Sequence, residues 1–240
     1  MKIIHLFIPF ALLILGISAF TVSKSDDEIF LIYQVNLKKQ DLKLYWKDDK
    51  NQEFKSIQNL KNWLGAKKER LIFATNAGMY KADNSPLGLF IQDQKMITPL
   101  NTRKAAGNFY WKPNGVLYID TGNNAVICTT ENFKNNGKIK YATQSGPMLV
   151  INGKIHPDFK QGSTNLNIRN GVGVLPNNDL VFIMSKREVS LFDFAKRLKE
   201  LGCKNALSFD GFVSRTYQPE KNWIQTDGNF GVIVGVTTHQ

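Results

Sequence analysis

The chain has 240 residues with 42% hydrophobic and 21% charged content, a balance that excludes a disordered polymer and suits one sizeable folded domain. Its net charge is +11, which favours an anionic partner such as phosphate, teichoic or lipopolysaccharide groups, a membrane surface or nucleic acid. Nucleic acid is disfavoured, because the lysines are scattered and no helix-turn-helix or zinc-finger pattern is present.

Residues 1–20 stand apart. A short basic start, Met1-Lys2, precedes an almost wholly apolar run from Ile3 to Phe20, and a polar stretch follows. This is the pattern of a signal peptide or an N-terminal membrane anchor, with the domain running over 25–240. The protein is therefore expected to be exported, periplasmic or secreted, and to touch a membrane only through residues 3–20 if they are retained. The two cysteines, Cys128 and Cys203, fit either one disulfide or two buried thiols. No CxxC or histidine cluster implies a zinc site.

Alternation of apolar and polar residues predicts strands over Ile29–Leu37 and Leu42–Trp46, read as an antiparallel pair turning at Lys38–Asp41. Ser56–Leu64 reads as a short helix stopped by Gly65. A buried strand, Leu71–Thr75, leads into Asn76-Ala-Gly-Met-Tyr80. Hairpins are predicted for Leu89–Gln92 with Met96–Pro99, and for Phe109–Lys112 with Val116–Ile119 around Pro113-Asn-Gly115. Ala125–Thr129 is a further strand. Two more hairpins pair Met148–Ile151 with Lys154–His156, and Gly171–Leu175 with Leu180–Ser185.

Ser190 caps the best helical pattern, with Leu191, Phe194, Leu198 and Leu201 on one face and Gly202 at its end. The short apolar strand Ala206–Phe209 then delivers Asp210-Gly211, an acid at a turn, followed by Ser214 and Arg215. Gly231–Val236 closes the chain. The fold class is α+β: one strand-rich domain with a curved, mostly antiparallel or mixed sheet and a few packed helices.

Four stretches bring polar groups to sharply turning backbone: Thr75–Tyr80, Gln144-Ser-Gly-Pro-Met148, Ser163–Gly173 and Asn205–Tyr217. Amides, hydroxyls and the Arg169 fork suit a sugar and an oxyanion. Ser145 stands in Gln-Ser-Gly-Pro rather than in a nucleophile-elbow motif, and no histidine has a triad-like setting.

In their order and separation these stretches resemble the phosphodiester glycosidase family, whose lysosomal member removes N-acetylglucosamine from a phosphodiester. The small exported bacterial branch, of unknown function, is the nearer likeness. It spans roughly Ile29 to the C-terminus. The resemblance implies hydrolysis of a sugar-1-phosphodiester, with a phosphorylated sugar or an anionic envelope glycan as partner. It makes Asp210 the acidic centre and Arg169 the anion contact. Asn76, Gly78, Ser145, Gly146, Pro147, Gly211 and Ser214 are then substrate-binding. One departure stands out: the longer family members carry a glycine-rich turn after the Asp-Gly pair, whereas Phe212 and Val213 follow it here, a change that the bacterial branch tolerates. A second carboxylate is to be sought among Asp83, Glu188 and Asp193. No cofactor is implied, and a divalent cation near Asp210 has no ligand motif behind it. Two rivals remain: a non-catalytic envelope protein binding phosphosugar polymers, and a phosphodiesterase that cleaves the P–O bond.

Overall fold

The structure, a computed structural model, describes residues 28–239. The expected export segment lies outside the described residues. Among the described residues sixteen strands form three open sheets, antiparallel at every pairing. Among the described residues no helix is long and apolar enough to cross a membrane.

The first sheet has the order β1-β12-β11-β13-β9-β10. Its strands are β1 (Phe30–Val35), β9 (Met148–Ile151), β10 (Lys154–Ile155), β11 (Asn170–Val174), β12 (Leu180–Ser185) and β13 (Asn205–Ser208). The second, β15-β14-β3-β16-β2, contains β2 (Asp41–Tyr45), β3 (Glu69–Asn76), β14 (Thr216–Gln218), β15 (Trp223–Ile224) and β16 (Ile233–His239). The third, β5-β4-β8-β6-β7, contains β4 (Phe90–Gln92), β5 (Lys95–Thr98), β6 (Gly115–Asp120), β7 (Ala125–Thr129) and β8 (Ile139–Ser145).

The main core lies among the three sheets, with Val35, Phe182 and Leu207 meeting Phe73 and Val234, and Leu117 and Tyr141. Tyr33 stacks on Phe73 with ring centroids 4.2 Å apart, and Phe73 contacts Phe182 at 5.4 Å. Each helix covers the outer face of one sheet. Helix α1 (Ile57–Ala66) packs Ile57, Leu60 and Leu64 against Leu71, Ala74 and Ile233. Helix α2 (Leu191–Glu200) packs Phe194 and Leu198 against Leu149, Ile183 and Ala206.

Both helices start as their sequences predict. The Ser56 hydroxyl accepts from the Asn59 N–H and the Ser190 hydroxyl from the Asp193 N–H, each satisfying a backbone donor that the first turn leaves free. Gly202 follows α2 at φ 92°, a conformation that a side chain disfavours.

Helix α1 runs through Gly65, its expected stop, to Ala66, and two expected strand pairings fail. β1 and β2 do not pair: β1 runs beside β12 and β2 beside β16. The amides of Gln34 and Asn36 donate to Asp179 at 2.7 and 2.8 Å, which ties β1 to the start of β12, so the intervening turn crosses between sheets. Nor does 109–112 form a hairpin strand. Asn108–Tyr110 is a 3-10 turn, and Asn114 uses its side-chain amide to hold the Phe109 carbonyl at 2.8 Å. β6 instead pairs with β7 and with β8, a strand that the sequence patterning did not pick out. The hairpins β4–β5, β9–β10 and β11–β12 stand where they were expected.

Candidate active site

The four polar stretches meet at the ends of β3, β8, β11 and β13. The Asp210 N–H donates to the Ala77 carbonyl at 3.3 Å, and the Ser208 N–H donates to the Pro147 carbonyl at 3.0 Å. Gly78 lies hard against β8, where a Cβ would stand 2.3 Å from Thr143 Oγ1 and 2.6 Å from the Gln144 carbonyl. A Cβ on Gly211 would come 3.1 Å from the Ile168 carbonyl and 3.7 Å from the Arg169 Cα. Residues as far apart as Thr75 and Arg215, 140 positions in sequence, thus share one locus.

Its base is a buried polar network. The Asn170 amide donates to Thr75 Oγ1 at 3.1 Å and to the Asn76 carbonyl and Oδ1, both at 2.9 Å. The Asn76 amide donates to the Asp210 carbonyl at 2.9 Å, while Asn76 Oδ1 accepts from the Arg215 N–H at 2.9 Å. The Ser214 hydroxyl is shared between the Gly211 carbonyl at 2.8 Å and Asn170 Oδ1 at 3.2 Å. Fully paired groups of this kind are costly to disturb, because each partner lost leaves a buried group without a hydrogen bond. The network joins the first sheet to the second and fixes the backbone on either side of Asp210.

Asn76, expected to orient substrate hydroxyls, is 1% exposed and spends its amide on protein groups. Ser145 is 0% exposed, and its hydroxyl has no partner among the described residues. Ser145, Gly146 and Pro147 form the corner through which the chain leaves β8 for β9, and all three are buried.

Asp210 is different. It is half-buried at the end of β13, and no salt bridge to it occurs among the described residues. Burial pushes its carboxyl above the usual carboxylate range, while a hydrogen bond from the Phe212 backbone pulls the other way. A carboxyl left short of charge partners is the arrangement that suits proton transfer near neutral pH. Tyr80 stands close by, and its phenol is pushed up by burial and by the Asp210 charge. Phe212, two residues on, is 95% exposed.

Arg169 adjoins the site through its backbone. Its guanidinium turns to Val189 and Asn165: Nε donates to the Val189 carbonyl at 2.8 Å, and Nη2 to the Asn165 carbonyl at 2.9 Å. It lines a cavity of about 130 Å3 with Trp111, Lys160, Ser163 and Phe192. Burial lowers its pKa. Arg215 presents a half-exposed guanidinium, paired with Asp227 at 2.8 Å.

Among the carboxylates considered as a second centre, Asp193 belongs to the α2 cap, bonded to the Ser190 hydroxyl at 2.7 Å. Asp83 is exposed and accepts from the Ser85 hydroxyl and N–H. Glu188 lines a cavity with Arg187 and Lys196. No group of three or more His, Cys, Asp or Glu side chains that could hold a metal occurs among the described residues. Both cysteines are free thiols.

The sequence profile of the phosphodiester glycosidase family matches residues 69–233, which contain every element of this locus. The chain belongs to the phosphodiester glycosidase family. It is 32% identical over 186 residues to the Escherichia coli (strain K12) protein YigE, covering 77% of this chain and 72% of that one. The catalytic domain of zebrafish N-acetylglucosamine-1-phosphodiester alpha-N-acetylglucosaminidase shares the fold. It superposes with a TM-score of 0.57 at 12% identity, over 87% of this chain and 88% of that domain. A protein of Burkholderia pseudomallei K96243 superposes with a TM-score of 0.53 at 9% identity, over 86% and 73% of the two chains.

Two residues that the sequence reading passed over matter most here. Asn170 and Tyr80 both lie within the stretches singled out, but neither was given a role. The signal for Asn170 was available: it is a polar side chain opening a strand whose other positions are glycine and valine.

Proposed function

We propose that this protein is an exported hydrolase that cleaves a sugar-1-phosphodiester between the anomeric carbon and the bridging oxygen. Family membership supports phosphodiester glycosidase chemistry in general. The observation that carries the assignment to this locus is Asp210: a half-buried carboxyl with no salt bridge among the described residues, its backbone held by a buried amide network. Export is supported by the apolar run of residues 3–20 and by a structural neighbour that bears the name of an exported protein.

The leaving group is already the anion of an acidic phosphate, so protonating it contributes little. The work lies in stabilising a sugar with oxocarbenium character and in bringing water to it. Asp210 serves the sugar side, as base for water or as nucleophile. In either role the bond from C1 to the phosphate oxygen breaks, and its electron pair leaves with the phosphomonoester. Water supplies the new oxygen on C1. Tyr80 lies close enough for its phenol to feel the Asp210 charge, and its hydroxyl donates to the Asn229 carbonyl. Arg169 serves the phosphate side, with Lys160 and Ser163 around the small cavity that its guanidinium lines. Asn76, Asn170 and Ser214 act as positioning residues, because their polar atoms are engaged within the protein.

The experiment is hydrolysis of α-N-acetylglucosaminyl-1-phospho-6-methylmannoside in 18O-labelled water. Label in the released sugar, and loss of release in Asp210→Asn, is the expected result. Label in the phosphate would assign P–O cleavage instead. Retention of the intact compound without release would make the protein a binder.

A further inference from the structure

A strap of chain, Thr102-Arg-Lys-Ala-Ala-Gly107, runs beside the Asp210 locus with little support of its own. Its six residues are all exposed and belong to no strand or helix. Among the described residues, the backbone of 102–106 makes one hydrogen bond, from the Arg103 N–H to Asn101 Oδ1 at 3.1 Å. Both ends are fixed. Before the strap, the Asn101 N–H donates to Gln144 Oε1 at 2.9 Å and the Gln144 amide donates back to the Asn101 carbonyl at 2.8 Å. After it, Phe109 is buried and the Asn114 amide holds its carbonyl at 2.8 Å. Gly107, at the second anchor, stands at φ 105° with open space around the place of a Cβ. A segment pinned at its ends and unbonded between them has the low local stability from which lids are drawn.

Both anchors stand at the end of β8 that meets Asp210. The Gln144 carbonyl abuts Gly78, and the neighbouring Ala77 carbonyl accepts from the Asp210 N–H. On the other side, a Cβ on Gly146 would lie 3.2 Å from the Asn108 carbonyl, and the Pro147 carbonyl accepts from the N–H of Ser208, two residues before Asp210. About three backbone spacings, on the order of 15 Å, therefore separate either anchor from Asp210. Three residues of extended chain reach about 10 Å from an anchor. An arginine or lysine side chain covers the rest.

The strap carries the charge that the locus lacks. Arg103 and Lys104 pair with no carboxylate among the described residues. The guanidiniums nearer the locus are largely committed: Arg169 donates through Nε and Nη2 to Val189 and Asn165, and Arg215 through Nε to Asp227. A phosphodiester carries one negative charge, whereas the phosphomonoester that leaves with the electron pair of the C1–O bond carries up to two above about pH 6. A cation that meets this group as the second charge develops lowers the barrier more than one that binds the intact diester equally well.

We infer that segment 102–107 closes over the Asp210 locus when a phosphorylated sugar binds, and that Arg103 and Lys104 then contact its phosphate. This rests on the reading of Asp210 given above.

The strap contains its own reporter, since trypsin cleaves after arginine and lysine. The test is limited trypsin digestion of the full chain, read by mass spectrometry, with mannose 6-phosphate, with mannose and with neither. Expected is cleavage at Arg103 and Lys104 slowed at least tenfold by mannose 6-phosphate and not by mannose, with cleavage at the exposed Lys38 and Lys39 unchanged. Arg103→Ala combined with Lys104→Ala should lower kcat for the phosphodiester at least tenfold, and Arg103→Lys combined with Lys104→Arg should keep most of it. Both positions are exposed, so these variants leave the fold in place, which thermal melting checks. Cleavage indifferent to mannose 6-phosphate, or a double alanine variant with wild-type kcat, overturns the closure. If the phosphodiester is hydrolysed while cleavage is indifferent, the reaction stands and the strap falls. If mannose 6-phosphate protects the strap but the phosphodiester is not hydrolysed, the closure stands and the reaction falls.

Discussion

The side-chain amide of Asn76 donates to the backbone carbonyl of Asp210 across 134 positions of sequence, at 2.9 Å. That bond makes the position of the carboxylate a property of two sheets at once, since Asn76 ends β3 and Asp210 follows β13. The carboxyl accepts from the Phe212 backbone N–H, and burial outweighs that bond in setting its proton affinity.

The first prediction concerns catalysis. Asp210→Asn should lower turnover of the sugar phosphodiester by about 10²–10⁴-fold, the usual contribution of a positioned acid or base. The fold should remain intact by circular dichroism. Because Asp210 acts ionised and its pKa is raised, the acid limb of the kcat/KM profile should lie above the ordinary aspartate range. A profile falling only near pH 4 or below would count against it.

A second prediction follows from the same shift. The folded state holds the Asp210 proton more tightly than the unfolded chain does, so this group opposes folding once it ionises. Its penalty is fully present above the raised pKa and disappears as pH falls to the unfolded value. Asp210→Asn should therefore melt higher than the wild type at pH 7, with the gain shrinking toward pH 4. Melting curves at both pH values read this directly, and a uniform loss of stability would contradict it.

Asn170→Ala should destabilise the protein by roughly 2–3 kcal/mol, because it strips hydrogen bonds from Asn76 and Thr75 in a buried setting. Urea unfolding measures the loss. Activity should fall too, although Asn170 is not given a substrate contact, since the backbone around Asp210 loses its anchor.

Gly78→Ala tests the close approach of β3 to β8. The added carbon would meet the Gln144 carbonyl at 2.6 Å, a backbone atom that a rotamer change cannot move aside. A cost of about 1–3 kcal/mol is expected, as for other overpacked sites. Unfolding curves superimposable on the wild type would show that the two strand ends are further apart.

Phe212→Ala should leave stability within about 0.5 kcal/mol, because the ring is almost wholly exposed. If the ring packs on the substrate, KM rises several-fold while kcat changes little. Unchanged kinetics would make Phe212 a bystander.

Much of this protein could be read from its residues. Ser56 and Ser190 announced the helix starts, and the apolar spacing after each gave the buried face. Asn152-Gly153 and Pro176-Asn-Asn-Asp179 marked two hairpins. The four polar stretches were also legible, because glycine and proline among amides, hydroxyls and charges signal backbone that must turn. Their convergence is what the structure adds. So is the direction of Arg169: a guanidinium can swing over many ångströms, and bonds to Val189 and Asn165 fixed where it went.

Periodicity in the chain by itself determined both long helices, most of the strands and the polar turns, because local backbone preference and the alternation of apolar residues act over a few positions. It could not determine that β1 and β2 lie in different sheets, that β8 passes between β4 and β6, or that Asn76 and Asn170 turn inward to hold each other. Strand partners are chosen by which apolar faces are buried together, and buried amides by which donors and acceptors arrive beside them. Those choices depend on residues far apart in the chain, and only the folded arrangement brings them into contact.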